Sequence, residues 1–134
     1  MTRFRMVAVA LLLWNLAGLA AFVAQVRSRP EDLGDAVTAQ AFATMPVWAW
    51  TAYAVATIAG TLAAIALLLG RRIAVPLFVL SLIGVLAQFS WSIFGFGIVG
   101  LKGPGALAFP IVIALLAGFG AWHARTAATE GKLR

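Results

Sequence analysis

Apolar residues dominate four stretches of the chain, about residues 6–26, 46–69, 73–96 and 107–124, and charged or Gly/Pro-marked breaks separate them. Each stretch is close to the roughly 20 residues that cross the hydrocarbon core of a bilayer at a rise of about 1.5 Å per residue. The pattern therefore predicts an all-α fold, a four-helix membrane bundle forming a single integral domain over residues 1–134.

The breaks sharpen the limits of each span. Arg3 and Arg5 precede the first, and Arg27 and Arg29 follow it. A cleavable secretory signal has an apolar core of about 7 to 15 residues and a small-x-small site, whereas this run is longer and has no convincing site near Gln25, so the span is expected to stay. The second begins near Pro46, after "FATMP", and ends at Leu69 before Gly70, Arg71 and Arg72. The third follows from Ile73, with Pro76 in its first turn, where a missing N–H costs nothing. It ends in "FGFGIVGLKGPG", a Gly/Pro run that reads as a turn before the fourth span. The tail from Arg125 is polar and is expected to fray.

Between the first two spans, Pro30 is followed by Glu31, Asp32 and Asp35. Proline and then acids mark a helix start, the carboxylates facing the positive end of the helix dipole. Leu33, Val37 and Ala41 recur at four-residue spacing, so a short amphipathic helix lying on the outer membrane face is expected, with an irregular loop as the alternative.

Composition agrees with a bilayer as solvent. The 134 residues are 63% hydrophobic and only 10% charged, against about a quarter charged in an ordinary soluble domain, and the mean hydropathy is +1.02. The net charge of +6 raises nucleic acid as a partner. Yet the basic residues stand in ones and twos beside the apolar runs, with no stripe and no interleaved aromatics, which reads as membrane-end anchoring and excludes a nucleic-acid interface. With no cysteine in the chain, disulfides, thiolate metal sites and thiol nucleophiles are excluded.

Orientation follows from the basic residues, because positive loops are retained in the cytoplasm. If the N-terminus is inside, Arg3, Arg5, Arg71, Arg72, Arg125, Lys132 and Arg134 are cytoplasmic and Arg27, Arg29 and Lys102 are not, seven against three. Both termini are therefore expected in the cytoplasm. A weak internal echo joins "NLAGLAAF" from Asn15 to "SLIGVLAQF" from Ser81, as two fused helix pairs would, although apolar segments also match by chance.

Polar residues inside the spans carry the candidate chemistry. Asn15 lies about nine residues into the first span, roughly 14 Å deep and so near the midplane; Thr57 and Ser81 fall at similar depth and are its expected partners. Asn15, Gly18, Phe22 and Gln25 share a helical stripe, as do Tyr53, Thr57, Gly60 and Ala64, and Ser81, Gly84, Gln88 and Trp91. The fourth span offers Ala114, Ala117, Gly118 and Ala121, a small-residue surface suited to close backbone approach. These faces are expected to turn inward, with Leu, Val and Ile facing lipid.

Two roles are open to Asn15. It can hold helices together, at about 0.6 to 2 kcal/mol per hydrogen bond, or it can present an amide to a ligand at the midplane, where many carriers place their sites. Tyr53 and Gln88 reach equal depth nearer the outer surface, with Thr51, Ser92 and Trp91 close by; aromatic faces with amide and hydroxyl groups suit an uncharged polyhydroxylated solute. Trp48 and Trp50 are near enough to the boundary to belong to an interfacial aromatic belt.

Other chemistry is poorly supplied. No Asp or Glu falls within a span, and a membrane-embedded carboxylate is the usual carrier of a coupling proton or partner of a cationic drug. That argues against the small multidrug exporters and against proton coupling. His123 is the only histidine, without the neighbours a metal site or general base pair needs, so neither an enzyme nor a cofactor is expected. "GFGIVG", Gly95–Gly100, has the G-x-G-x-x-G spacing but follows a membrane helix and has no acid about 20 residues on, so it is not read as a dinucleotide site.

"LLWNLAG", "MPVWAWTAYAVA", "LLLGRRIAVPLFVLSL", "LAQFSW" and "PGALAFPI" occur in an order that resembles a family of short bacterial four-helix membrane proteins labelled "sugar transporter" by automated annotation. The resemblance spans nearly the whole chain. It implies the four-helix topology and the bacterial inner membrane, and hints at transport without assigning binding residues.

Two functions from different classes follow. One is an uncoupled carrier of a small neutral solute such as a sugar, with Asn15, Tyr53, Thr57, Ser81, Gln88 and Trp91 lining the path; since four helices enclose little space, a homodimer is its minimal expected assembly. The other is a non-catalytic accessory or scaffold subunit of a larger membrane complex, in which the polar stripes only join helices.

Overall fold

A computed structural model describes residues 2–29, 32 and 35–134. Among these the protein is all-helical: α1 (Arg3–Arg27), α2 (Ala36–Thr44), α3 (Val47–Leu68), α4 (Ala74–Ser90), α5 (Ile98–Lys102) and α6 (Ala108–Thr129). A π turn, Trp91–Gly95, prolongs α4, and a 3₁₀ turn, Pro104–Leu107, leads into α6. Four helical segments, Arg3–Arg27, Val47–Leu68, Ala74–Gly95 and Pro104–Thr129, are long and apolar enough to cross a membrane, as a multipass membrane protein requires.

Local chemistry sets the ends. Thr2 caps α1 by accepting from the Arg5 N–H at 3.2 Å, and Asp35 caps α2 by accepting from the Thr38 N–H at 2.8 Å, each satisfying a donor that the first helical turn leaves unpaired. The expected start of the loop helix at Pro30–Leu33 lies outside the described residues, Asp32 excepted. Pro46 separates α2 from α3 because it opens a helix but cannot continue one.

The helices pack in the order α1 on α3, α3 on α4 and α4 on α6. Small residues allow this. α3 buries Ala49, Ala56, Ala59, Ala63, Ala64 and Ala66, and a Cβ at Gly84 of α4 would lie 2.8 Å from the Ala52 carbonyl and 2.9 Å from the Ala56 nitrogen. Such close backbone approach gives helices van der Waals attraction that lipid cannot match. At the end bearing the α3–α4 turn, Phe78 and Leu67 are fully buried among Ala8, Leu11, Ala64 and Ala124. The outward faces are apolar and exposed: Leu13, Leu62, Ile83 and Leu115 among others.

Three expectations are corrected. The residues from Arg125 do not fray: α6 runs to Thr129, Gly131 turns the chain with φ +76°, and Leu133 is buried. The Arg72 N–H donates to the Arg134 carbonyl at 2.7 Å and the Arg134 N–H to the Gly70 carbonyl at 2.7 Å, so the tail ties α6 to the α3–α4 turn. The packing glycine of α6 is Gly120, set against the Phe78 ring, while Gly118 has open space beside it. The glycine-rich segment after α4 is a π turn and two short helices rather than a plain turn, because the Phe96 N–H reaches the Trp91 carbonyl at 2.7 Å in an i→i+5 bond.

Candidate functional site

The polar residues of the spans do not bond to one another as expected; they bond to backbone. Asn15 Nδ2 donates to the Leu11 carbonyl of its own helix at 2.8 Å. Thr57 Oγ1 donates to the Tyr53 carbonyl at 3.1 Å, and Ser81 Oγ crosses from α4 to the Ala56 carbonyl of α3 at 2.7 Å. Thr61 Oγ1 reaches the Thr57 carbonyl at 2.8 Å and the Asn15 carbonyl at 3.3 Å. A lone side-chain donor in hydrocarbon is costly, and the nearest carbonyl one turn back is always within reach. Direct Asn15–Thr57 and Asn15–Ser81 hydrogen bonds are therefore not formed.

These residues nevertheless border one space. A cavity of about 340 Å³ lies between the four long helices, and Asn15, Tyr53, Thr57, Ser81 and Gln88 all line it, a volume within the range of small-ligand sites. Glycine makes room for the polar groups at mid-depth: a Cβ at Gly60 would collide with Asn15 Oδ1 and stand 3.0 Å from Ser81 Oγ. The two segments of the sequence echo thus meet α3 in parallel fashion, Asn15 and Ser81 beside Gly60, Gly18 and Gly84 against residues 52–57.

Toward the α2 end the lining becomes aromatic. The Tyr53 ring meets Phe22 edge-on at 4.9 Å and stacks on Trp50 at 6.1 Å. Gln88 Nε2 has a long contact of 3.9 Å to Met45 Sδ, a weak acceptor, so its amide is largely available. Gln25 Oε1 is buried without a hydrogen-bond partner and borders the same cavity.

Trp91, the sixth expected site residue, does not join this group. It lies in the π turn, stacked on Phe96 at 5.6 Å with Gly95 beneath its indole, and lines a second cavity of about 430 Å³. Gln88, Phe42, Phe89 and Phe109 border both spaces and so form the wall between them. Thr51 is exposed and bonded to the Val47 carbonyl at 2.9 Å, outside either cavity.

α2 is fastened at this end. Lys102 Nζ donates to Asp35 Oδ2 at 2.6 Å and to Thr38 Oγ1 at 3.0 Å, joining the start of α2 to the end of α5. The bond from Lys102, aided by the Thr38 N–H, holds the Asp35 carboxyl down at about 2.

Among the described residues, no ionisable side chain apart from the phenol of Tyr53 lines the first cavity, and no cluster of His, Asp or Glu is suited to a metal. The lining can hydrogen-bond and stack on an uncharged molecule, but it does not pair a nucleophile with a base. Gln25 was visible in the sequence on the Asn15 stripe. Phe42, Phe89 and Phe109 carried no separate signal, since a phenylalanine facing a cavity reads the same as one facing lipid. Comparison with protein-family models, curated proteins and solved structures returned no match.

Proposed function

We propose that the protein is an uncoupled carrier of a small neutral solute in the bacterial inner membrane, with both termini in the cytoplasm and α2 on the outer face. The observation that carries this reading is the uncharged cavity bordered by Asn15, Tyr53, Thr57, Ser81 and Gln88. The unpartnered Gln25 Oε1 and the largely available Gln88 amide beside the Tyr53 ring suit hydroxyl groups and apolar ring faces. The orientation rests on the seven-to-three distribution of basic residues, and the resemblance to short "sugar transporter" proteins points to the same class. The exposed apolar faces of α1 and α6 are available to a second copy in a homodimer. The test is uptake by liposomes containing the purified protein across a panel of sugars, polyols and short-chain alkyl glycosides. Uptake above empty vesicles, unaffected by a proton ionophore, is expected; no uptake of any member overturns the reading.

A second reading has its own observation. Ser81 and Thr61 donate across to the Ala56 and Asn15 carbonyls of neighbouring helices, as helix-joining residues of an accessory subunit would. Stable co-purification with one larger membrane complex, with no uptake, would favour it.

A further inference from the structure

The first cavity is not uniform along its length. At the α2 end it presents the Gln25 and Gln88 amides and the Tyr53 phenol; farther in, Val85, Phe78 and Leu116 dominate. At mid-depth one hydrogen of Asn15 Nδ2 and the hydroxyl hydrogens of Thr57 and Ser81 already have carbonyl acceptors. A free sugar carries hydroxyls on every side, and those at the inner end would lose water without gaining comparable partners. A molecule polar at one end and apolar at the other matches the lining throughout.

The cavity also opens sideways. Trp14, Ala17 and Ala21 on α1 and Phe109 on α6 line it and are exposed. α1 and α6 come together at the opposite end, where Phe4 stacks on His123 at 5.8 Å. The opening therefore lies along membrane-crossing segments, where the surroundings are acyl chains. At the α2 end, Phe42 lines the cavity and the Lys102–Asp35 bond of 2.6 Å holds α2 in place.

We propose that this cavity binds a neutral amphiphile, a hydroxylated head group on a single apolar chain, admitted from the bilayer between α1 and α6. The inference rests on the carrier reading of the cavity and names the class of molecule it takes. The head group lies among Gln25, Tyr53 and Gln88, and the chain runs past Val85 toward Phe78. A charged head is disfavoured because no side chain of opposite charge among the described residues lines the cavity and desolvation is uncompensated.

The test is photolabelling of the full chain in lipid nanodiscs with an octyl glucoside carrying a diazirine near the chain terminus. Adducts are expected on the facing segments of α1, α4 and α6, removed by unlabelled octyl glucoside but not by glucose or octyl sulfate at equal concentration. Ala21→Trp, which narrows the opening, should cut labelling about tenfold. Leu116→Trp, which fills the chain end, should do the same and serves if the first variant fails to fold. Equal competition by glucose together with undiminished labelling in both variants would overturn the amphiphile while leaving a solute carrier standing. Competition by octyl sulfate would overturn the neutral class. Absence of cavity adducts, with liposomes that do take up a free sugar, also rejects the amphiphile; absence of both rejects the carrier as well.

Discussion

Asn15 Oδ1 fills the space that a side chain at position 60 would need. The asparagine and the glycine are one packing unit: with its amide nitrogen turned back to Leu11, the carbonyl end of Asn15 can lie against α3 only because Gly60 has no Cβ. Gly60→Ala should therefore destabilise the protein by about 1–3 kcal/mol, the usual range for overpacking. Thermal unfolding in detergent measures it, and adding Asn15→Ala to Gly60→Ala should recover much of the loss. No recovery would show that the two residues are not coupled.

The glycines also rank themselves. Gly84 faces the backbone of Ala52 and Ala56, whereas Gly118 has nothing within 4 Å. A methyl group at 84 forces two helices apart; one at 118 meets no neighbour and improves helix propensity by about 1 kcal/mol. Gly84→Ala should lower the melting temperature clearly and Gly118→Ala should leave it unchanged or raise it. The reverse ranking would contradict the α3–α4 packing.

Ser81 supplies a hydrogen bond between helices, to the Ala56 carbonyl at 2.7 Å. Ser81→Ala should cost about 0.6–2 kcal/mol of stability, read from unfolding in mixed micelles. Gln88 contrasts with it, since its amide has only the 3.9 Å contact to sulfur. Gln88→Leu should change stability by within about 0.5 kcal/mol yet reduce uptake about tenfold. Uptake unchanged in Gln88→Leu would remove this residue from the binding role.

The Asp35–Lys102 bond has a definite pH window. Its carboxyl is depressed from 3.8 to about 2 in the folded protein. A depressed acid favours the folded arrangement fully above the free value and loses that contribution as pH falls through the folded one. Hydrogen exchange in α2 should thus show constant opening from pH 7 to 5 once intrinsic exchange rates are divided out, and greater opening as the pH falls from about 4 to about 2. Asp35→Asn should open α2 at neutral pH, and added salt should have a similar partial effect on this exposed pair.

Spans were legible because hydrocarbon is an unforgiving solvent: twenty apolar residues have few other fates. Their polar stripes were legible too, and Asn15, Tyr53, Thr57, Ser81 and Gln88 border one space as their spacing implied. What escaped was the choice of partner. Helical periodicity tells which way Ser81 points but not that the Ala56 carbonyl lies nearer than the Asn15 amide. Trp91 escaped for a different reason: it ends the stripe one turn beyond Gln88, which borders both cavities, and so reaches only the second of them. The docked tail was hidden as well, since Leu133 is a single apolar residue among polar ones and only its place beside Ala127 and Ala128 buries it.

That tail gives the bundle an asymmetry of stiffness. Gly70, at φ +71°, and Arg72 accept the last residue as a short backbone clip, and the largest buried side chains lie on the same side. The end bearing the α3–α4 turn is thus held by backbone bonds and by the buried Phe78 and Leu67, whereas the α2 end is held by the Gly84 approach to α3, the Phe22–Trp50–Tyr53 rings and one surface ion pair. Because the clip ties α6 to the α3–α4 turn and leaves α1 out, a shift of α1 against α6 would leave it intact.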